Sequence, residues 1–382
     1  MPRDLAEPGW LPLSDGELRD ILGRRDPGGL GRHPVVTWRS PRPLSAAALV
    51  RHGDATVFVK RHHVSVRTPA QLAAEHAFAG HLRARAQPVP AVQRLAGGPG
   101  AEGAGGVGSV LRRGDFCYEV HQIADGIDVY RAAARWSPYA SLGHAHAAGA
   151  ALARLHLAAE GFDAPARPAA VLMNSCQVLG APDPLAEAGA LAAARPGLAA
   201  YLAGRRWPAD FEEVLAPRIA RAAPLLAALP PQWGHGDWHP SNLTWSSAAP
   251  DAQVAGIFDF GLANRTSAVH DLALALERAV VSWRDLPETG TATADLTAAA
   301  VILDGYQTVR PLSEAEAAAL PVLLPVVHLE YALSEADYYT SAAVSPARAD
   351  LAYDYLIGHA SWFGQPPGAA LLAFLASHLR GR

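Results

Sequence analysis

Two aspartates and an asparagine frame this chain. Gly234-His235-Gly236-Asp237-Trp238-His239-Pro240-Ser241-Asn242 is followed, seventeen residues after the asparagine, by Asp259-Phe260-Gly261. His-x-Asp-x4-Asn with a later Asp-Phe-Gly is the spacing a phosphoryl-transfer site requires: one carboxylate faces a hydroxyl and two oxygen donors hold Mg2+ on ATP phosphates. Between the halves the chain spells a hairpin. Leu243-Thr244-Trp245 is a short strand, Ser246 to Gln253 turns at Pro250-Asp251, and Val254 to Phe260 returns antiparallel. Such a hairpin brings Asn242 and Asp259 side by side and leaves Asp237 on the preceding loop.

The basic residues point to a second feature. Of 32 Lys and Arg, 31 are Arg and only Lys60 is Lys. It ends the strand-like run Thr56-Val57-Phe58-Val59, and the helix expected over Pro69 to Ala84 carries Glu75 fifteen residues later. A compact ammonium can meet phosphates and a helix carboxylate at once, where a planar guanidinium does not fit. The plainer alternatives are a leftover surface lysine and a solvated helix carboxylate.

The rest of the chain follows in order. Ser14-x-x-Glu17 is a capping box opening a helix over Asp15 to Arg24, which Asp26-Pro27-Gly28-Gly29 closes. Val35 to Trp38, Ala48 to Arg51 and Thr56 to Lys60 predict a small antiparallel sheet. The turn Pro43-Leu44-Ser45-Ala46 makes Ser45 a candidate phosphate contact. Gly98-Pro99-Gly100-Ala101-Glu102-Gly103 spells GxGxxG but lacks the following helix of a dinucleotide site, so it reads as an inter-strand loop. Phe116 to Ile123 is a strand and Ala124-Asp125-Gly126 a hinge, with the backbone of Gln122 to Ala124 facing adenine.

Helices dominate thereafter: Ser141 to Glu160, Asp210 to Leu229, Val269 to Trp283, Asp295 to Arg310, Glu314 to Tyr339 with a break near Pro321 and Pro325, Arg348 to Phe363, and Ala369 to Arg380. His144, His146 and His156 do not share one coordinating face, so they read as satisfied or solvated rather than as a metal site. Residues 164 to 184 and 284 to 292 read as loops.

Half of the 382 residues are hydrophobic and 18% are charged, which suits a soluble chain with two lobes or domains. A net charge of −4 and a pI near 6.5 give no basic footprint for nucleic acid. No apolar run suggests a signal peptide or a membrane span, so a cytoplasmic monomer or homodimer is expected. Cys117 and Cys176 lack metal-ligand spacing and read as buried free thiols.

From these residues the chain resembles the aminoglycoside phosphotransferase and choline kinase family, within the protein-kinase-like fold, over about Val35 to Tyr355. His235-Gly236-Asp237-Trp238-His239-Pro240-Ser241-Asn242 and Asp259 carry the resemblance. Lys60 with Glu75, and Arg154-Leu155-His156, support it. The resemblance implies an α+β, two-lobed fold, with a small antiparallel-sheet N-lobe over residues 1–124 and a mainly helical C-lobe over 125–382. It implies Asp237 as catalytic base or hydroxyl-orienting carboxylate, Asn242 and Asp259 as Mg2+ ligands, and Lys60 on ATP phosphates held by Glu75. His235 and Asp271 would support the catalytic loop, Asp271 from the start of a helix.

His239 stands where Ser/Thr protein kinases carry Lys, and only nine residues separate Gly261 from Asp271. That leaves no activation loop for a peptide, so the implied acceptor is a small alcohol: an amino sugar, amino alcohol, homoserine-like compound or sugar. Glu330 and Asp337, on the border of an apolar helical stripe, are candidate contacts for an amine-bearing substrate, as is His239; a solvated helix face is the alternative. Two other classes compete. A metal-dependent hydrolase could use His235, Asp237, His239, Asp259, His270 and Asp271, but it leaves Lys60, Glu75 and Asn242 without a role. An inactive nucleotide-binding module would be expected to have lost one of Lys60, Asp237, Asn242 or Asp259.

Overall fold

The computed structural model describes residues 10–25, 33–41, 44–96, 107–133 and 136–380. The chain divides into two compact units. One runs to Asp125 and takes in Gly256–Phe258; the other holds Gly126–Ala255 and the chain from Asp259 on.

Among the described residues the first unit is built on β1 (Val35–Arg39), β2 (Ala46–His52), β3 (Ala55–His63), β4 (Leu95–Ala96), β5 (Val107–Gly108), β6 (Leu111–Arg113) and β7 (Phe116–Gln122). Five of them form an antiparallel sheet in the order β1-β2-β3-β7-β6, and β4 pairs with β5 separately. Side-chain alternation sorts the two faces of this sheet. Val57, Val59, Tyr118 and Val120 join Leu18, Ile21 and Leu22 of α1 (Asp15–Arg25) in one apolar core. Phe58, Lys60 and His62 of β3 alternate with that set, as do Cys117, Glu119 and His121 of β7, and they take the opposite face. There Leu72 of α2 (Pro69–Ala84) packs with Val110 and Cys117.

Both helices begin where the sequence marks them. The Ser14 hydroxyl accepts from the Glu17 N–H (3.3 Å), while Glu17 Oε2 accepts from the Ser14 N–H (2.7 Å). Glu17 also reaches the sheet, where Oε1 accepts from Arg61 Nη1 (2.5 Å) and from the Tyr118 hydroxyl (2.6 Å). Helix α2 starts at Pro69 after Thr68, whose hydroxyl and N–H exchange hydrogen bonds with Gln71 (3.3 and 2.9 Å).

The second unit is mainly helical. It holds the strands β8 (Gln232–Gly234), β9 (Leu243–Trp245) and β11 (Asn264–Thr266) and the first half of β10 (Val254–Ile257), whose Gly256 and Ile257 belong to the first unit. Its helices begin with α3 (Leu142–Ala159), α4 (Pro184–Ala193), α5 (Pro196–Ala203), α6 (Trp207–Asp210) and α7 (Ala216–Ala227). Then come α8 (Ala268–Val280), α9 (Leu286–Thr289), α10 (Leu296–Gln307), α11 (Glu314–Leu323), α12 (Leu329–Asp337), α13 (Pro346–Trp362) and α14 (Pro366–Arg380). Helix α3 is capped by Ser141, which accepts from the His144 N–H (3.0 Å). α3 lies against α10, and the His156 ring meets the Tyr306 hydroxyl at 2.7 Å.

Several expectations change in detail. The strand expected over Val254 to Phe260 ends at Ile257, because Asp259 takes a left-handed conformation (φ 62°, ψ 66°) that no strand can continue. The β8–β11 pair was not expected, since Asn264-Arg265-Thr266 is too short and polar to show a period. Glu314 to Tyr339 splits into α11 and α12, with Pro325 in the gap. His144 and His156 are satisfied: the His144 ring meets the Tyr130 hydroxyl (2.8 Å) and the Ala249 carbonyl (2.9 Å). Both cysteines are free, but only Cys117 is buried; Cys176 is half-buried. The Gly98–Gly103 tract, the Asp26–Gly29 helix end and the Arg42-Pro43 part of the first turn lie outside the described residues. Among the described residues no helix is long and apolar enough to cross a membrane.

Candidate active site

The loop from Gly234 to Asn242 is held from below by one carboxylate. Asp271 stands in the first turn of α8, whose start is set by the Ser267 hydroxyl accepting from the His270 N–H (3.1 Å). Its two oxygens accept from the backbone N–H groups of His235 (2.7 Å) and Gly236 (2.8 Å), and His156 Nε2 lies 3.1 Å from Oδ2. Burial would raise the Asp271 pKa, but it is outweighed by the His156 bond, the nearby His156 and His235 rings and the Gly236 N–H, and the carboxyl stays below its ordinary range.

The glycines follow from this closeness. A Cβ on Gly234 would stand 2.6 Å from Asp271 Oδ2. Gly236 has φ +74°, and a Cβ there would run into the Leu262 carbonyl oxygen.

Asp237 emerges half-buried from this loop with both oxygens engaged. Arg278 Nη1, from the last turn of α8, donates to Asp237 Oδ1 and to the Gly236 carbonyl (2.9 Å). Asn242 Nδ2 donates to the Asp237 carbonyl (2.8 Å) and to Oδ2 (3.2 Å), and His239 Nε2 lies 3.5 Å from Oδ1. Arg278 is fully buried, with its guanidinium carbon 5.5 Å from the Trp136 ring centre and 5.4 Å from that of Tyr331. The sequence reading missed Arg278, which looks there like an ordinary basic residue suited to a helix C-terminus.

Asn242 ends a one-turn helix over Pro240–Asn242. With its amide nitrogen committed to Asp237, Oδ1 remains as the acceptor outside those bonds. Asp259 is exposed, its backbone turned into the left-handed region. An amide oxygen and a carboxylate are hard donors that fit a divalent cation. The segment after Asp259 is pinned by buried polar groups: Asn264 Nδ2 donates to the Asn174 carbonyl (2.8 Å), and Arg167 Nη1 to that of Ala263 (2.8 Å). Asn174 Nδ2 in turn donates to the Gly236 carbonyl, and the His235 ring lies 4.7 Å from that of Phe260.

In the first unit Lys60 is half-buried on β3, opposite Ala47 on one side and Glu119 on the other. Glu75 is buried on α2, and Ser45 is buried just before β2. The expected adenine contact shrinks by one group, because the Gln122 N–H is taken by the Ala91 carbonyl (2.8 Å). Among the described residues no backbone partner is found for Ala124.

Glu330 and Asp337 are both buried and bound to the surrounding fold. Glu330 Oε1 accepts from the N–H groups of Val178 (2.8 Å) and Leu179 (3.2 Å), and burial pushes its pKa up to about 7. Asp337 accepts from the Ser341 hydroxyl (2.8 Å) and pairs with Arg195 Nε (3.1 Å). An apolar stripe with polar borders marks a helix edge but does not say what covers that edge; here it is protein. The hydrolase cluster also fails to form. Among the described residues the one group with metal-holding geometry is His76, Glu119 and His121, and His270 is buried, its pKa pushed down to about 4 by burial.

A homoserine kinase from Gluconobacter oxydans (strain 621H) is 34% identical over 193 residues, 49% of this chain and 51% of that protein. The chain thus spans about half the length of the curated relatives it matches. Among solved structures, an aminoglycoside phosphotransferase from Alicyclobacillus acidocaldarius superposes with a TM-score of 0.52 at 18% identity, covering 98% of both chains. An amicoumacin kinase in complex with AMP-PNP, Ca2+ and Ami gives 0.54 at 15% identity, covering 85% of this chain and 88% of the other. At these identities the likeness is one of fold, the kinase-like α+β architecture. The sequence model of the phosphotransferase enzyme family matches residues 44–312. That span takes in Lys60, the Gly234–Asn242 loop, Asp259 and the Asp271 that anchors it, and the chain belongs to the phosphotransferase enzyme family.

Proposed function

We propose that the chain is an ATP- and Mg2+-dependent phosphotransferase acting on a hydroxyl of a small molecule, such as an amino sugar, an amino alcohol, a homoserine-like compound or a sugar. The observation that carries this reading is Asp237, presented half-buried with Oδ1 held by Arg278 and Oδ2 by Asn242. A carboxylate clamped at both oxygens cannot rotate away from an incoming hydroxyl, and fixed positioning is most of what phosphoryl transfer asks of a protein. Asp237 orients the acceptor hydroxyl and takes its proton. Mg2+, when bound, supplies neutralisation of the phosphate oxygens; Asn242 Oδ1 and Asp259 are the groups that would hold it.

Lys60, kept in place by Glu75, offers its ammonium to the nucleotide phosphates, with Ser45 as a lesser contact and the backbone of Ala124 meeting adenine. Residues 1–124 act as the N-lobe and 125–382 as the C-lobe. The homoserine kinase similarity supports a small alcohol acceptor, and the AMP-PNP and Ca2+ of the amicoumacin kinase complex support a nucleotide with a divalent ion. ATP supply suits a cytoplasmic monomer or homodimer.

The test is a coupled ADP-release screen of homoserine, amino alcohols, amino sugars and neutral sugars with wild type and Asp237→Asn. At least one acceptor should be turned over, and the variant should lose turnover while still binding ATP. Equal rates for the two proteins on the best acceptor would sink the assignment.

A further inference from the structure

Three imidazoles surround one buried carboxylate in the first unit, and none belongs to the site described above. Glu119, 1% exposed on β7, has Oε1 3.0 Å from His62 Nε2 and Oε2 2.6 Å from His76 Nε2 and 3.1 Å from His121 Nε2. The four residues come from three elements: His62 from β3, His76 from α2, Glu119 and His121 from β7. Strand alternation puts His62, Glu119 and His121 on the face of the sheet that α2 covers, so the convergence follows from sheet register and one helix.

We propose that His76 Nε2, His121 Nε2 and Glu119 Oε2 form a binding site for a divalent transition-metal ion, with Zn2+ as the fitting member. One ligand atom from each of the three residues lies within 4.8 Å of the others, and Oε2 is 2.6 Å from His76 Nε2 and 3.1 Å from His121 Nε2. Tetrahedral zinc with bonds near 2.0–2.1 Å separates its ligands by about 3.3 Å, so small side-chain shifts suffice. Two imidazoles and one carboxylate are a donor set that selects such ions over Mg2+ or Ca2+, which prefer oxygen.

The surroundings match what such sites need. His76 Nδ1 lies 2.8 Å from the Ser109 hydroxyl, which fixes the ring with Nε2 facing inward. His62 holds the other carboxylate oxygen and so orients Glu119. A hollow of about 480 Å³, bordered by Ala73, Ala77 and Gly80, has His76 and Ser109 in its wall. A fourth coordination position would be left for water or a small ligand.

The site has a consequence for catalysis that rests on the function proposed above. Glu119 is the cross-strand neighbour of Lys60, and His76 directly follows Glu75. A bound ion would therefore tie α2 to the sheet at the two residues assigned to the nucleotide.

The experiment uses the full chain without an affinity tag, stripped by chelator and kept in excess Mg2+ so that oxygen sites are filled. Titration with Zn2+ should show one ion per chain, and Co2+ should give the intense visible bands of a four-coordinate site. His121→Ala, at a partly exposed position, and Glu119→Gln should each weaken Zn2+ binding at least ~100-fold, while Asp259→Asn should keep it. If Glu119→Gln does not fold, His121→Ala decides. No Zn2+ uptake by the wild type under excess Mg2+, or unchanged uptake by a folded His121→Ala protein, would overturn the site and leave the phosphotransferase reading untouched. A result in which only Asp259→Asn loses the ion would overturn it equally.

Discussion

Arg278 Nη1 and Asp237 Oδ1 are direct hydrogen-bond partners, and the guanidinium that makes this bond has no exposed surface. The same nitrogen also donates to the Gly236 carbonyl, so side chain and backbone of the loop are fixed by one group. Arg278→Lys keeps a charge but loses the planar fork, and kcat should fall at least ~10-fold with the KM for ATP little changed. Arg278→Met leaves the Asp237 carboxylate without this partner and should cost about 3–5 kcal/mol of stability as well. Steady-state kinetics with urea melts separate the two effects. A folded Lys variant with wild-type kcat would remove Arg278 from any positioning role.

Asp271→Asn tests the anchor beneath the loop. The carboxylate accepts from two backbone N–H groups and lies against His156, so an amide NH2 in either orientation must face an N–H donor. The expected cost is about 1–3 kcal/mol in urea unfolding, with kcat falling further than the KM for ATP rises. Unaltered stability and rate would mean that the loop holds its shape without Asp271.

Glu17 gives the first unit an acid-sensitive contact. Burial raises its pKa, but hydrogen bonds from Tyr118, Ser14 and Arg61 outweigh this and hold it at about 2 against an ordinary 4.5. The folded protein therefore binds this proton later than the unfolded chain as pH falls. The stabilisation is complete above about pH 4.5 and drains away as pH drops toward 2. Because the carboxylate is partly solvated, the effect should be about 1 kcal/mol. Glu17→Gln should be less stable than wild type at pH 7, with the gap narrowing below pH 4.5 and closing near pH 2; a gap that does not change with pH would rule out the charge as its cause.

Glu330 behaves in the opposite sense. Its folded pKa near 7 lies above the ordinary 4.5, so the unfolded chain ionises first and gains stability as pH rises between these values. Wild-type stability should decline from about pH 4.5 to 7, by as much as ~3 kcal/mol. In Glu330→Gln an amide oxygen can still accept from Val178 and Leu179, and that pH slope should vanish. Urea unfolding at pH 5 and pH 8 decides it; parallel curves for the two proteins would show that Glu330 ionises normally.

What could be read from the sequence was what local spacing sets. Ser14 with Glu17 places the start of α1, and Pro69 that of α2, because a helix start needs only its own three or four neighbours. Asp237 and Asn242 lie five residues apart on one loop, and the hairpin after them is short enough that turn residues announce it. The strand runs of β3 and β7 were legible for the same reason, and their alternation is what turns Val57, Val59 and Val120 to one core.

Tertiary structure decided everything that depends on which elements meet. Arg278 comes 41 residues after Asp237, and nothing near it in the chain signals that its guanidinium ends there. His156 reaches Asp271 across 115 residues, and Asn174 reaches the Gly236 carbonyl across 62. Glu330 and Asp337 looked like a charged helix border open to a ligand, but the Cys176–Leu179 turn and Arg195 cover them. The imidazoles around Glu119 are scattered through β3, α2 and β7 without any ligand spacing, and sheet register together with the packing of α2 brings them together. A sequence pattern reports neighbours within a few residues along the chain, whereas buried polar pairs answer to whichever distant group the packing delivers.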